Sequence, residues 1–136
     1  MADNVREITM RWREELLFEG GAPGRPAILV DGDSAAATSP VELLLVAAAT
    51  CSAADVVVIL RKQRVALRSL EVTVQGTRRE QEPRRYTALH LVFAVSGEGA
   101  DEAKARRAID LSLEKYCSVV ASLAPDIRIT YDVAIR

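Results

Sequence analysis

Cys51 and Cys117 are the residues of this chain best suited to covalent chemistry. A thiolate is a strong nucleophile and a soft metal ligand; a thiol is neither. With two cysteines and one histidine, His90, the chain cannot supply the four Cys or His ligands of a structural zinc site. The segment Met1-Ala2-Asp3-Asn4-Val5-Arg6-Glu7 has no apolar stretch and carries acids, so it reads as neither a secretory signal nor a transit peptide. The expected compartment is the cytoplasm, where a permanent disulfide between two such distant cysteines is unusual. Two readings stay open for the pair: reactive thiols, or the small buried core residues that free cysteines often are.

The charged neighbours sharpen the question. Asp55 stands one helical turn after Cys51, on roughly the same face. A bare carboxylate there raises a thiol pKa, so Asp55 is expected to be paired, either with an arginine beside Cys51 or with a polar group at a subunit seam. Glu42 lies nine residues before Cys51, about 180° around a straight helix, and reads as a favourable charge at a helix start. Arg84 and Arg85, after Pro83, could reach a thiolate from a hairpin, and most of the arginines read as solvated surface charges. His90, flanked by Leu89 and Leu91, reads as a strand residue, because a Cys-His hydrolase needs an orienting third group. Gly20 to Gly24 lacks the Lys-Ser/Thr of a phosphate loop.

The elements that must position these residues follow from periodicity. Ile8, Met10 and Trp12 alternate with Thr9, Arg11 and Arg13 as a half-buried strand, and Leu16 to Phe18 starts its hairpin partner. Gly20-Gly21-Ala22-Pro23-Gly24 is turn chemistry, and Ala27 to Val30 is a short strand ended by Asp31-Gly32. Ser39-Pro40 opens a helix, with Ser39 as N-cap, Pro40 in the first turn and Glu42 behind it. That helix runs to about Arg64 and is apolar on nearly every side, which predicts burial on nearly every side, most economically against a second copy of the chain. Leu70, Val72 and Val74 form a strand; Arg78 to Arg85 is a polar hairpin link; Leu89, Leu91, Phe93 and Val95 form the next strand. Asp101 starts a helix predicted to run through Tyr116, Cys117 to Leu123 is a second helical piece, and Ile127 to Ile135 is a closing strand. The order βββ-α-ββ-α-α-β predicts an α+β fold with antiparallel pairing, in one domain spanning 1–136.

Composition excludes several classes. The chain has 136 residues, of which 49% are hydrophobic and 27% charged, as in a folded domain with its own core. A net charge of -1 with interspersed signs disfavours a nucleic-acid binder. Leu43 to Leu60 is long enough for a membrane span, but Asp55 near its centre costs about 2.5–3.5 kcal/mol on insertion. The flanking amphipathic strands also need a soluble core to cover, so a soluble protein without a membrane partner is expected.

Taken together, Ser39-Pro40-Val41-Glu42-Leu43-Leu44, the run Ala47-Ala48-Ala49-Thr50-Cys51-Ser52 and the segment Glu114-Lys115-Tyr116-Cys117-Ser118-Val119 resemble the OsmC/Ohr family. The order and spacing of the elements fit that family across essentially the whole chain. Cys51-Ser52-Ala53-Ala54-Asp55-Val56-Val57 and Arg78-Arg79-Glu80 look most like a divergent OsmC-like subgroup. The resemblance implies an intertwined homodimer, two sheets wrapped around paired central helices, and thiol-based reduction of organic or lipid hydroperoxides without metal or prosthetic group. In that chemistry Cys51 is oxidised to a sulfenic acid, Cys117 condenses with it, and a dithiol reductant reopens the disulfide. The chain departs from the better-known peroxidases, which carry a glutamate directly after the proline, paired with an arginine from the N-terminal strands. Val41 occupies that position here, the acid is displaced to Glu42, and no arginine matches cleanly: Arg25 lies in about the right stretch but after a different loop, with Arg84 and Arg85 as the alternatives. These departures predict a weaker peroxidase, or an OsmC-like binding or redox-sensing module in its place.

Overall fold

The computed structural model describes residues 4–136, so the first three residues of the amino-terminal segment read above lie outside it. The described chain forms two compact units, one up to Leu44 and one from Leu45 to Arg136.

In the first unit, β1 (Thr9–Glu14), β2 (Leu17–Gly21) and β3 (Ile28–Asp31) make an antiparallel sheet in that order. The β1–β2 link is tight: Glu15 takes a left-handed φ of 48°, and the Trp12 indole donates to its carbonyl at 2.7 Å. Ile8, Met10, Phe18, Ile28 and Val30, with Pro40 and Leu43, line an apolar hollow of about 390 Å³. The alternation of Ile8 and Trp12 predicted burial, yet within this unit they are 59% and 66% exposed. A three-stranded sheet of this length has too little of its own chain to cover such a face.

The loop after β3 is organised by one side chain. The Asp31 carboxylate accepts from the backbone N–H groups of Asp33 and Ala36, both at 2.9 Å, and these bonds hold its pKa below the usual carboxylate range. The loop leads into a reciprocal cap: the Glu42 N–H donates to Ser39 Oγ at 3.2 Å, and Glu42 Oε1 accepts from the Ser39 N–H at 3.0 Å. This cap starts α1 (Pro40–Lys62).

α1 ends as expected of a helix that must turn sharply into a strand. The Val65 N–H reaches the Leu60 carbonyl and the Arg64 N–H the Arg61 carbonyl, both at 3.0 Å. This is a Schellman cap, with Arg64 at φ 63° where glycine is usual. Along α1, Ala48, Ser52, Val56 and Leu60 are fully buried at a spacing of four, and all belong to the second unit. The opposite stripe, Val46, Thr50, Ala54 and Val58, is exposed, with Val46 at 46% and Val58 at 50%. The helix predicted to be covered on nearly every side is therefore fully covered within its own chain along one stripe. By length and composition alone α1 could cross a membrane. Burial of Ser52, and the hydrogen bonding of Asp55 described below, tie it to the protein instead.

The second unit is built on β4 (Ala66–Arg78) and β5 (Tyr86–Glu98), a long antiparallel hairpin, with β6 (Arg128–Ile135) beside β5. β6 runs parallel to β5, which corrects the expectation of antiparallel pairing throughout. The reason is the connection: the helices between β5 and β6 form a crossover that returns the chain to the same end, which a short hairpin cannot do. Leu89, Leu91, Phe93 and Val95 point to one buried face, where Val56, Leu60 and Ile109 are also fully enclosed. Each such side chain contributes about 1.5–3 kcal/mol by leaving water. Gly76 on β4 permits the close approach of α1, since a Cβ there would lie 2.8 Å from Leu45 and overlap the Tyr86 ring. After α2 (Glu102–Leu111), the predicted continuous helix to Tyr116 instead widens into a π-helical turn, Ser112–Tyr116, followed by α3 (Ser118–Ala121).

Candidate thiol site

Both cysteines lie in the second unit, on opposite sides of the contact between α1 and the π-turn. Cys51 sits mid-helix and is partly exposed; Cys117, directly after the π-turn, is 3% exposed. Both thiols are free, and no disulfide joins them. The two sulfurs are not close enough to be paired, but Cys51 contributes to the ionisation of Cys117. The Cys117 pKa is pushed up first by burial and then by Cys51. The Val120 N–H, donating to Cys117 Sγ at 3.5 Å across the start of α3, opposes that rise without cancelling it. Cys117 is thus held as a thiol at neutral pH.

A polar network fastens the two segments. Ser112 Oγ lies 2.8 Å from Asp55 Oδ2 and 3.1 Å from Ser52 Oγ, and both serines are fully buried. A hydroxyl has one proton to give and a carboxylate can only accept, so Ser112 donates to Asp55 and Ser52 donates to Ser112. The Ser112 carbonyl also accepts the Cys117 N–H at 2.7 Å, the bond that defines the π-turn. Asp55, expected to be paired, is held by a serine rather than by an arginine, and among the described residues it forms no ion pair. Sequence reasoning missed Ser52 and Ser112. The only signal for them was two small polar residues in apolar surroundings, one adjoining Cys51 and one five residues before Cys117.

The arginines named as supports are engaged elsewhere or lie in the other unit. Arg85 pairs with Asp126 at 2.6 Å, and the Arg84 Nε donates to the Arg79 carbonyl at 3.3 Å within the β4–β5 hairpin. Arg25 belongs to the turn after β2, its N–H bonded to the Ala22 carbonyl at 3.3 Å. Glu42 is the helix cap described above, and its carboxylate also accepts from the Ser34 hydroxyl at 2.8 Å. These backbone and hydroxyl donors hold its pKa below the usual range. His90 bridges Thr130 and Asp132 of β6, at 2.6 and 3.1 Å, on the sheet. Among the described residues no group of three or more His, Cys, Asp or Glu could hold a metal ion.

Beside the network a cleft of about 500 Å³ opens, lined by Asp55, Val58, Ile59, Lys62, Arg107 and Tyr116 among others. Asp55 follows Cys51 by one turn and Tyr116 precedes Cys117, so the cleft adjoins both cysteine-bearing segments. Its volume lies within the range of small-molecule sites.

The chain is similar to known proteins over most of its length. The family model described as OsmC-like protein matches residues 31–132. Protein YhfA of Escherichia coli K12 is 43% identical over 126 residues, covering 92% of this chain and 94% of YhfA. A crystal structure of a hypothetical protein from Aquifex aeolicus superposes with a TM-score of 0.85 at 30% identity, covering 98% of each chain. The organic hydroperoxide resistance protein OhrB of Bacillus subtilis superposes with a TM-score of 0.65 at 14% identity, over 98% of this chain and all of that one, which shows a shared fold.

Proposed function

The chain belongs to the OsmC-like protein family, and on that premise we propose that it is a thiol-dependent reductant of organic hydroperoxides. Family membership supports a stress-related redox role at the coarse level. The finer reading rests on one observation: a partly exposed Cys51 and a buried Cys117, both free thiols, lie in the same unit, and Cys51 contributes to the raised pKa of Cys117. In the first step the Cys51 thiolate attacks one peroxide oxygen of ROOH. The O–O bond breaks, the alkoxide leaves and takes a proton to become ROH, and Cys51 becomes a sulfenic acid. In the second step the Cys117 sulfur attacks the sulfenic sulfur, an S–S bond forms, and water leaves with the Cys117 proton. An external dithiol reduces the disulfide and restores both thiols. The division of labour follows from exposure: a substrate can reach Cys51, whereas Cys117 is enclosed.

The protein acts in this reading as a cytoplasmic homodimer. The exposed stripe Val46, Thr50, Ala54 and Val58 on α1 and the open apolar face of β1–β3 support a second copy as cover. The direct test is dithiol-dependent consumption of cumene hydroperoxide, compared with hydrogen peroxide. Turnover of cumene hydroperoxide that is lost in Cys51→Ser supports the proposal; equal turnover by that variant overturns it. A second reading, a ligand-binding or redox-sensing module, draws on the cleft beside Asp55 and on the absence of any arginine paired with that residue among those described. It predicts oxidation of Cys51 without sustained turnover.

A further inference from the structure

We propose that Ser112 is a positioning residue that sets how readily Cys51 and Cys117 join. The inference rests on the two-cysteine reading above and names a component that the cysteines alone do not reveal. Three bonds converge on this one residue. Its hydroxyl donates to Asp55 at 2.8 Å and accepts from Ser52 at 3.1 Å, and both partners stand on α1 in the turn that follows Cys51. Its carbonyl accepts the Cys117 N–H at 2.7 Å. One serine thus fixes α1 through its side chain and Cys117 through its backbone, and the link is short and branched.

The π-turn explains why the link must sit here. An i→i+5 turn is wider than an α-turn and less stable on its own, and such turns persist where surrounding contacts hold them. In this chain the π-turn is clamped at Ser112 and ends at Cys117, whose own N–H closes it. Without the hydroxyl, the turn is free to revert toward regular α geometry. That change shifts the register of every residue after it by a fraction of a turn and swings the Cys117 sulfur relative to Cys51. Loss of the hydroxyl also leaves the buried Ser52 hydroxyl and a part-buried carboxylate oxygen of Asp55 without their partner.

The device acts on the joining step and not on the peroxide step, because Cys51 lies on α1 itself. The test uses the full chain and two independent readouts. The first is the equilibrium between the protein dithiol and its Cys51–Cys117 disulfide in mixtures of reduced and oxidised dithiothreitol, followed by mass spectrometry. The second is the rate at which Cys51 forms a sulfenic acid with cumene hydroperoxide, trapped by dimedone in a Cys117→Ser background. Ser112→Ala is expected to lower the disulfide equilibrium constant roughly tenfold, the scale of one lost hydrogen bond to a charged group, while the sulfenic-acid rate stays within about twofold, well inside one decade of barrier height. Asp55→Ala should lower the equilibrium constant in the same way, and Asp55→Asn, which keeps an acceptor for the Ser112 proton, should restore most of it. This pair of variants decides the matter even if Ser112→Ala does not fold. An unchanged equilibrium constant in Ser112→Ala, or equal losses in Asp55→Ala and Asp55→Asn, overturns the positioning role and leaves the thiol reading standing. A wild-type protein that forms no Cys51–Cys117 disulfide overturns both.

Discussion

The ionisation of single residues carries two expectations. Burial, and after it Cys51, raise the Cys117 pKa, so Cys117 remains a thiol at neutral pH and is also enclosed. Iodoacetamide at about pH 8, near the ordinary cysteine pKa, should therefore label Cys51 well before Cys117, as read by peptide mapping. Equal labelling of both in the folded protein would contradict the assignment of roles. Asp31 and Glu42 have folded pKa values below their ordinary ones, because backbone and hydroxyl donors bind the charged form. A depressed carboxylate contributes stability that is present above its unfolded pKa and lost as pH falls through the folded value. Stability should therefore decline from about pH 5 downward, and Asp31→Asn should flatten that acid limb in pH-dependent denaturant titrations. The sequence made Cys51, Cys117 and the capping part played by Glu42 legible, since motif spacing and helix-start chemistry are local. It did not reveal the partner of Asp55. Ser112 lies 57 positions further along the chain, and a buried serine has no periodic signature.

At the level of elements, the ends and crossing points of helices carry the testable strain. Arg64 occupies the left-handed cap position after α1, where a side chain costs about 1–2 kcal/mol relative to glycine. Arg64→Gly should accordingly raise the midpoint of chemical unfolding, an increase equivalent to about 1 kcal/mol after allowing for the greater entropy of glycine in the unfolded chain. Gly76 is the converse case. A methyl there meets Leu45 and the Tyr86 ring, so Gly76→Ala should destabilise by about 1–3 kcal/mol, as overpacking does, measurable in the same titration. The strands and α1 could be read from alternation and from Ser39-Pro40. The parallel placement of β6 could not, because alternation marks which face a strand buries and says nothing of its neighbour's direction. The π-turn was hidden for a related reason: the stretch from Asp101 to Tyr116 carries helical residue types throughout, and the turn starts at Ser112, whose side chain bonds across to α1 far away in sequence.

For the whole molecule, the account joins a one-sided helix, an open sheet face and a pair of free thiols. Within its own chain α1 covers one stripe fully and leaves Val46 and Val58 about half exposed. We expect sedimentation at low micromolar concentration to give twice the chain mass. Val58→Asp should cost folding along with association, because obligate dimers seldom keep a stable monomer; a folded, monomeric wild-type protein would refute this. The central claim is that Cys51 takes oxygen from an organic hydroperoxide and Cys117 closes the cycle. The measurement that tests it most directly is intact and peptide mass analysis of the reduced protein after one equivalent of cumene hydroperoxide, with no reductant present. The account predicts loss of two hydrogens per chain and a Cys51–Cys117 cross-linked peptide, replaced in Cys117→Ser by sulfenic and then sulfinic acid at Cys51. Two unmodified thiols after exposure, or oxidation of Cys117 with Cys51 untouched, would contradict it.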